Sequence, residues 1–249
     1  MAQNVYDTPA FFKEYTQLPR SVHGLAGAPE WPTLRKLVGD IKDNSVLDLG
    51  CGFGWFCRWA LKDAQARSVH GVDISENMLA RARDMTTGNE YEGITYSCAD
   101  LEGLVLEKGT YDFAYSSLAF HYLPTESLRR LFAQISGCLN PGGRFVFSIE
   151  HPVATAPFDP TWKWDPEGRI YWPLNQYWDE GLRVTDWLTK GVNKYHRTVE
   201  TYLSLLMESG FVLTAFKESW DGLELRTKWN QRGEAHRPYF LLIAAKVNH

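Results

Sequence analysis

Short runs of apolar and β-branched residues alternate with helical patterns along the middle of the chain. We predict strands at residues 45–49, 68–73, 94–98, 111–116 and 144–149. Several of the stretches between them repeat apolar residues every three or four positions, as amphipathic helices do. Strands that alternate with helices are typical of βαβ units, so the pattern predicts an α/β fold with helices on both faces of a parallel sheet.

Residues that favour helix ends mark the predicted helices. Ser75 is predicted to cap a helix that runs to about residue 85. Thr125 is predicted to cap a second helix, whose apolar stripe ends at Leu139. The sequence Asn140-Pro141-Gly142-Gly143 is predicted to end that second helix and turn the chain. Further helices are predicted at 55–64, at 198–209 with Gly210 closing it, and outside the sheet at 9–18 and 31–38.

The regular alternation stops at residues 151–194, which are rich in Pro, Trp, Tyr and Asp and have no clear period. Five of the ten tryptophans lie between Thr161 and Lys190. We predict that this insertion forms a lid over an aromatic pocket. The alternative is a structural excursion whose rings fill an apolar gap or a dimer contact. Two final strands are predicted at 211–217 and 238–247.

The overall composition fits one globular domain. The 249 residues are 44% hydrophobic and 22% charged, which is close to globular averages. Lys and Arg number 26 and Asp and Glu number 30, and the basic residues form no block. We therefore expect no nucleic-acid partner.

The sequence also predicts neither a membrane anchor nor a metal site. The N-terminus contains Asp7 and no apolar run, and the longest apolar stretch, 239–245, is too short to span a bilayer. The four cysteines form no C-x-x-C pair, so we expect reduced thiols, no bound metal and a cytoplasmic protein.

The first predicted strand continues into a glycine-rich turn, Gly50-Cys51-Gly52-Phe53-Gly54. Glycines permit a sharp turn and close approach of a ligand, although such turns also occur for structural reasons. The spacing is neither the G-x-G-x-x-G of dinucleotide-binding proteins nor the phosphate loop of NTPases. Asp48, inside the strand, would repel a pyrophosphate and suits a positively charged ligand. The alternative is a carboxylate that caps nearby backbone N–H groups.

Two further carboxylates follow the next strands. Asp73 ends the second strand, where an acidic side chain accepts hydrogen bonds from a ribose diol, unless it caps the helix near Ser75. Asp100 follows the third strand, where it can accept from an adenine amino group beside the apolar Leu101. Together the carboxylates favour an adenosine-containing ligand with a cationic arm and no phosphate. S-adenosylmethionine has this chemistry.

At these residues the sequence resembles the class I S-adenosylmethionine-dependent methyltransferases, and most of all a small-molecule branch that includes ubiquinone- and menaquinone-biosynthesis-type enzymes. The matching segments lie between Val46 and Ser148 in the family's order and spacing: V-L-D-L-G-C-G-F-G, G-V-D-I-S-E-N-M, C-A-D-L-E, Y-D-F-A-Y-S-S-L-A-F-H-Y-L and L-N-P-G-G-R-F-V-F-S. The resemblance implies a Rossmann-like sheet of seven strands, the last of them antiparallel.

The resemblance also implies which residues bind the cofactor. Those that would line its methionine part are Asp48, Gly50, Cys51 and Gly52. Asp73 would hold the ribose, and Ile74, Met78, Asp100 and Leu101 would surround the adenine. Ser116, Ser117 and Leu118 would border the sulfonium. Residues 4–20 resemble a helix that closes over the cofactor in this branch, so that Tyr15 or Arg20 would meet the cofactor carboxylate.

The acceptor side is less defined by the sequence. Methyl transfer from a sulfonium is an in-line displacement, and a base is needed only when the acceptor is protonated. His121 and His151 follow strands four and five and are candidate bases, although each could equally be a structural histidine. Glu150 is a weaker candidate. Arg197 could meet an anionic acceptor or be a solvated charge at a helix start.

The sequence therefore predicts an enzyme that transfers a methyl group from S-adenosylmethionine to a small, apolar or aromatic metabolite, releases S-adenosylhomocysteine, and exists as a monomer or homodimer. The alternative is a non-catalytic S-adenosylmethionine-binding module that acts through protein partners. The loop spacing and Asp48 disfavour a nicotinamide-dependent oxidoreductase. Within one domain, 1–249, we expect a helical cap (1–40), a cofactor-binding core (41–150), an aromatic insertion or lid (151–197) and a C-terminal helix with two strands (198–249).

Overall fold

Five strands form the parallel part of the central sheet in the computed structural model, which describes residues 3–218 and 237–248. They are β1 (Ser45–Leu49), β2 (Ser68–Asp73), β3 (Ile94–Cys98), β4 (Tyr111–Ser117) and β5 (Leu139–Glu150). β1 pairs in parallel with β2 and β4, β2 also pairs with β3, and β4 with β5. The predicted bounds of the first three strands are confirmed, and β4 is one residue longer than predicted.

The start of β5 differs from the prediction. Tyr111 pairs with Leu139, but Phe113 pairs with Arg144, so the register shifts between the two pairs. Residues 140–143 therefore form an irregularity inside the strand, and the turn predicted to separate helix from strand was wrong. A bulge of this kind absorbs extra residues without ending the strand, and Gly142 supplies a positive φ of 76° there.

Helices precede and connect these strands. The bounds are α1 (Pro9–Tyr15), α2 (Pro19–Val22), α3 (Trp31–Val38), α4 (Trp55–Lys62), α5 (Glu76–Asp84) and α6 (Thr125–Cys138). Single 3-10 turns lie at Val5–Asp7, Gly24–Gly27, Asn89–Tyr91 and Phe120–Tyr122. The predicted helix 9–18 is shorter in the structure: α1 ends at Tyr15, and α2 begins as a separate helix at Pro19, which keeps the preceding Leu18 extended, with φ −64° and ψ 145°.

The predicted helix caps had mixed outcomes. Ser75 is confirmed as a cap, because its Oγ accepts a hydrogen bond from the Met78 amide at 3.1 Å. Thr125 is not a cap: it is the first residue of α6, and its Oγ1 accepts instead from Arg197 Nε at 2.9 Å. A cap therefore cannot be assigned from residue type alone when a distant donor competes for the same hydroxyl.

The insertion contains regular structure that the sequence pattern did not predict. After α7 (Pro152–Thr155) come the two-residue strands β6 (Lys163–Trp164) and β7 (Ile170–Tyr171). A longer antiparallel hairpin follows, of β8 (Gly181–Trp187) and β9 (Thr189–His196). Its buried positions on β9 are Val192, Lys194 and His196. Because two of these three residues are polar, no apolar alternation marks the strand.

The chain ends with α8 (Val199–Glu208), β10 (Phe211–Lys217) and β11 (Phe240–Val247). The sheet order is β10-β11-β5-β4-β1-β2-β3, and β11 is antiparallel to both of its neighbours. This arrangement confirms the seven-stranded sheet with the last strand antiparallel. Thr198 caps α8 by accepting from the Thr201 amide, and Gly210 follows the helix with φ 83°, as expected for a helix end.

Two apolar cores cover the two faces of the sheet. Leu47 and Leu49 of β1 belong to the core that includes α6 and α8, whereas Val46 belongs to the core that includes α3 and α4. Alternate strand residues face opposite sides, so both faces are occupied. The carboxyl ends of the parallel strands are left as the place for a ligand. Across residues 3–218 and 237–248, no helix has the length and apolar character needed to cross a bilayer.

Candidate active site

A cavity of about 560 Å³ lies where loops after the parallel strands meet the N-terminal segment and the hairpin. A smaller cavity of about 100 Å³ adjoins it. The predicted site residues that line the larger cavity are Tyr15, Arg20, Gly50, Gly52, Asp73, Ile74, Met78, Asp100, Leu101, Ser117, Leu118 and His121. Asp48 and Cys51 line only the smaller one, together with Tyr15, Arg20, Gly50, Gly52 and Ser117.

Two predicted site residues lie outside both cavities. Ser116 is fully buried in β4, and its Oγ donates to the Leu49 carbonyl at 2.7 Å. His151 caps α7 by accepting from the Val153 amide at 3.1 Å, and its Nε2 lies 3.0 Å from Glu218 Oε1. Both ring nitrogens of His151 are therefore used in structural contacts. We correct the two predictions: neither residue lines either of these cavities.

The glycine-rich turn leaves room for a ligand. Gly50 has φ 74°, and a Cβ there would lie 2.6 Å from the Cβ of Ala119, so any side chain would collide with the loop after β4. Gly52 has φ 53°, and a Cβ there would meet nothing within 4 Å. The turn is thus packed on one side and open toward the cavity on the other.

Asp73 links the glycine turn to the loop after β2. Its Oδ2 accepts from the Gly52 amide at 2.8 Å and its Oδ1 from the Ser75 amide at 2.9 Å. The helix cap itself is Ser75, so the alternative role of Asp73 as the cap was wrong. Burial raises the pKa of Asp73 to about 6. Each carboxylate oxygen keeps a second lone pair with which it can accept a ligand hydroxyl.

Asp48 lies behind the glycine turn and is 2% exposed. Its Oδ2 accepts from the Cys57 thiol at 3.2 Å. The alternative role, a cap of backbone N–H groups, is not seen for Asp48 in the described residues. Burial raises its pKa to about 7, and the nearby Asp73 charge adds to this effect. A cationic ligand would lower the pKa of both carboxyl groups again.

Besides the predicted Arg20, the smaller cavity contains polar groups that the sequence did not single out. Arg20 forms an ion pair with the fully buried Glu30 at 3.0 Å. Within the described ranges, the buried Trp55 Nε1 and Ser21 Oγ have no hydrogen-bond partner. A buried N–H or O–H without a partner is costly, so these donors point to a missing acceptor group. The position of Trp55 directly after the turn was the only sequence signal available.

One part of the lining of the larger cavity is aromatic, and we call it the aromatic end. Tyr6, Tyr15, Tyr122 and Trp187 line it. The ring centroid of Tyr6 is 5.4 Å from that of Tyr15 and 6.1 Å from that of Tyr122, and Tyr15 is 6.4 Å from Trp187. The insertion was expected to supply aromatic residues, and Trp187 is the member that reaches the cavity. Tyr6 and Tyr122 were not predicted.

The N-terminal segment and the hairpin cover this end together. Gln3 Nε2 donates to the Gly191 carbonyl at 2.9 Å, and its Oε1 accepts from the Asn193 amide at 2.8 Å. The ring of Phe11 lies 5.4 Å from that of Trp187. Asp7 accepts from Ser75 Oγ at 2.6 Å and from the Asn77 amide at 3.1 Å. The contacts of Asp7 tie the cover to the residues that follow Asp73.

A buried polar group occupies the aromatic end. Lys194 Nζ lies 2.6 Å from Glu150 Oε1, and His121 Nε2 lies 4.0 Å from the same oxygen. His121 Nδ1 accepts from the Glu150 amide at 3.5 Å. Burial lowers the pKa of His121 to about 4, so the ring is neutral and its accepting nitrogen is already used. His121 lines the cavity as predicted, but this geometry does not favour it as a base.

Arg197 has neither of its expected roles. It is fully buried, and its guanidinium donates to the Leu123 carbonyl, to Thr125 Oγ1 at 2.9 Å and to Tyr202 Oη at 3.2 Å. Arg197 therefore joins the loop after β4 to α6 and α8. It is neither a solvated charge nor a residue that lines a cavity.

Comparison with known proteins matches this fold and site. A family model described as a methyltransferase domain matches residues 46–143. The chain is similar to a crystal structure of an S-adenosylmethionine-dependent methyltransferase from Mesorhizobium loti, with 48% identity, a TM-score of 0.82, and 90% of this chain and 100% of that chain covered.

Two relatives in the curated set extend the comparison. An uncharacterised protein of Haemophilus influenzae is 31% identical over 250 residues, which cover 98% of this chain and 96% of the relative. A demethylmenaquinone methyltransferase of Lactococcus lactis subsp. lactis is 26% identical over 194 residues, which cover 75% of this chain and 73% of the relative.

Two features define a Rossmann-like methyltransferase. One is the sheet order with its antiparallel last strand, and the other is the glycine turn followed by acidic residues. The chain is similar over nearly its whole length to the methyltransferase from Mesorhizobium loti. It therefore belongs to the class I S-adenosylmethionine-dependent methyltransferases. Its cofactor is S-adenosylmethionine, and the product of that cofactor is S-adenosylhomocysteine.

Proposed function

We propose that the enzyme methylates a small, apolar or aromatic molecule bound at the aromatic end of the larger cavity. One observation carries the proposal: the glycine turn and Asp73 line the same cavity as the rings of Tyr6, Tyr122 and Trp187. Such a cavity has room for a cofactor at its acidic end and an acceptor beside it. The Lactococcus relative, a demethylmenaquinone methyltransferase by name, supports a small-molecule acceptor.

We assign the cofactor's adenosine to the acidic end. Asp73 accepts from the ribose diol, while Ile74, Met78, Asp100 and Leu101 surround the adenine. The open side of Gly52 and the free lone pairs of Asp73 fit this group. When bound, S-adenosylmethionine supplies an activated methyl group on its sulfonium. The residues of the chain bind and orient the two reactants.

The cofactor's amino-acid end fits the smaller cavity. The Trp55 indole N–H, the Ser21 hydroxyl and the Arg20 guanidinium are donors for a carboxylate. Asp48, with Gly50 and Cys51 of the turn, provides an acidic wall for the ammonium. Ser117 lines both cavities and Leu118 lines the larger one, and we assign the sulfonium to this region.

The N-terminal segment and the insertion serve, in this proposal, as the cover that excludes water from the reacting groups. This assigns functions to the divisions expected from the sequence, residues 1–40 and 151–197. We also propose a reducing, cytoplasmic location. The free thiols of Cys51, Cys57, Cys98 and Cys138 support it.

Product formation tests the proposed function. The purified protein is incubated with S-adenosylmethionine carrying a labelled methyl group and with a metabolite extract. We expect S-adenosylhomocysteine and a labelled small molecule. Cofactor binding without any labelled small molecule would contradict the proposal and favour a non-catalytic module.

The substitution Asp73→Ala tests the cofactor assignment. Loss of hydrogen bonds to a charged acceptor should weaken S-adenosylmethionine binding by about 1–3 kcal/mol, measured by calorimetry. The matched control is Asp84→Ala, which removes an exposed carboxylate at the end of α5. Equal dissociation constants for Asp73→Ala and the wild type would contradict the ribose assignment.

A further inference from the structure

Glu150 places an ionised carboxylate at the aromatic end of the cavity. It ends β5, next to the end of β4 in the sheet, and it lines the larger cavity. Its contacts with Lys194 and His121 involve Oε1. Among the described residues, Oε2 has no hydrogen-bond partner. This side chain therefore has a fixed position and one oxygen available to a ligand.

The groups around Glu150 keep it ionised without using that oxygen. Burial by itself would raise the pKa of Glu150, but Lys194 beside it lowers the pKa below the usual value. The charge of Arg237 also lowers the pKa of Glu150. Lys194 is itself 6% exposed and lies 4.9 Å from the ring of Trp187, so the ion pair is held in place by packing.

The charges of the lining disfavour an anionic acceptor. Among described residues that line the larger cavity, Arg20 is the one cation, and it is paired with Glu30. Asp73, Asp100 and Glu150 are acidic. The rings of Tyr6, Tyr15, Tyr122 and Trp187 line the same cavity, and the π face of such a ring carries partial negative charge. Such surroundings stabilise a positive charge and repel a carboxylate or a phosphate.

Among the described residues, the aromatic end of the cavity has no base that is suited to deprotonate an alcohol. The accepting nitrogen of His121 is occupied by the Glu150 amide. Glu150, ionised and paired with Lys194, is a weak proton acceptor. An acceptor whose nucleophilic atom attacks without prior deprotonation by the enzyme matches these residues better than a hydroxyl group does.

Building on the proposed function, we propose that the acceptor is an amine on an apolar or aromatic body, and that Glu150 Oε2 accepts a hydrogen bond from its nitrogen. An amine that enters as its ammonium ion first loses a proton to water, and the lone pair of the resulting neutral amine forms the N–C bond as the C–S bond breaks. The electron pair of the broken bond stays on sulfur, and the positive charge passes from sulfur to nitrogen. The resulting methylammonium donates to Glu150 and later releases its proton to water. Glu150 thus stabilises charge that appears during transfer.

Calorimetric binding to the S-adenosylhomocysteine-loaded protein tests this proposal independently of turnover. The probes are 2-phenylethylamine, 2-phenylethanol and 3-phenylpropanoate, which share one body and differ in the polar group. We expect the amine to bind about tenfold more tightly than either other probe. Equal or tighter binding of the alcohol or the acid, or no binding of any probe, would overturn the proposal.

Two variants locate the preference at Glu150. Glu150→Gln should abolish the preference for the amine, whereas Glu107→Gln, at an exposed position outside the cavity lining, should keep it. If Glu150→Gln does not fold, Glu150→Asp keeps a partner for Lys194 and should reduce the preference. An undiminished preference in a folded Glu150 variant would overturn the assignment.

The labelled product separates the two proposals. A label on nitrogen supports both. A label on oxygen, carbon or sulfur would overturn the amine assignment and leave the proposed function intact. Cofactor binding without a labelled small molecule would contradict the proposed function itself.

Discussion

Asp48 and Asp73 show how much the chemistry of a residue depends on its surroundings. The sequence placed these two carboxylates at or near the ends of the first two strands and predicted that they bind the cofactor. Only the structure gives their burial, 2% and 8% exposed, and with it the raised pKa values of about 7 and about 6. A pair of carboxyl groups that titrate near neutrality is partly protonated when the cationic ligand is absent.

Cofactor binding should therefore depend on pH. A cation favours the ionised carboxylates, so binding lowers both pKa values and releases protons wherever the free protein holds them. We expect affinity for S-adenosylmethionine to rise with pH up to about 7 and to level off above it, with proton release at about pH 6 and little at about pH 8. Calorimetry in buffers of different ionisation enthalpy measures the proton release. Affinity that is constant from about pH 5.5 to 8 would contradict the assignment.

Neighbouring residues on one strand illustrate a limit of sequence reasoning at this scale. Ser116 and Ser117 both matched the family pattern, yet only Ser117 lines the cavity, because successive strand residues face opposite sides. His121 and His151 looked equivalent in the sequence. Their burial and hydrogen bonds separate a residue that lines the cavity from one that caps α7.

At the scale of elements, Asp7 connects the N-terminal segment to the loop between β2 and α5. Burial opposes ionisation of Asp7, but hydrogen bonds from Ser75, Asn77 and Asn4 outweigh it and lower the pKa. Because the pKa of Asp7 is lower in the folded protein, the contact stabilises the protein fully at pH values above the unfolded pKa of about 4. This stability is lost as the pH falls through the pKa that Asp7 has in the folded protein.

Asp7→Ala should release the N-terminal segment from this loop. We expect a loss of about 1 kcal/mol in local stability, faster amide hydrogen exchange in residues 3–20 and weaker cofactor binding, since Ser75 in this loop donates to Asp73. Glu14→Ala, an exposed carboxylate on α1, is the control. Unchanged exchange in both variants would show that Asp7 does not hold the segment in place.

At the scale of the whole molecule, Arg197 holds separate parts of the chain together. It bonds to the loop after β4, to α6 and to α8, all from a fully buried position. Its hydrogen bonds span 72 to 74 positions along the chain to Thr125 and Leu123. Removing the guanidinium leaves buried acceptors without a donor.

Arg197→Met should lower the free energy of unfolding by about 2–4 kcal/mol, measured by denaturant titration. Arg81→Met, at an exposed position on α5, should change it little. A stability loss equal in the two variants would show that the buried hydrogen bonds contribute nothing specific.

The sequence by itself determined the βαβ alternation, the bounds of β1, β2 and β3, the Ser75 cap, and the acidic residues beside the glycine turn. These features depend on period, propensity and short-range hydrogen bonds, which neighbouring residues control. The tertiary structure alone decided that polar Lys194 and His196 form a buried strand face, that Arg197 is internal, and that Glu150, Tyr6 and Trp187 share one cavity. Those outcomes depend on partners far apart in the chain, so no local pattern records them.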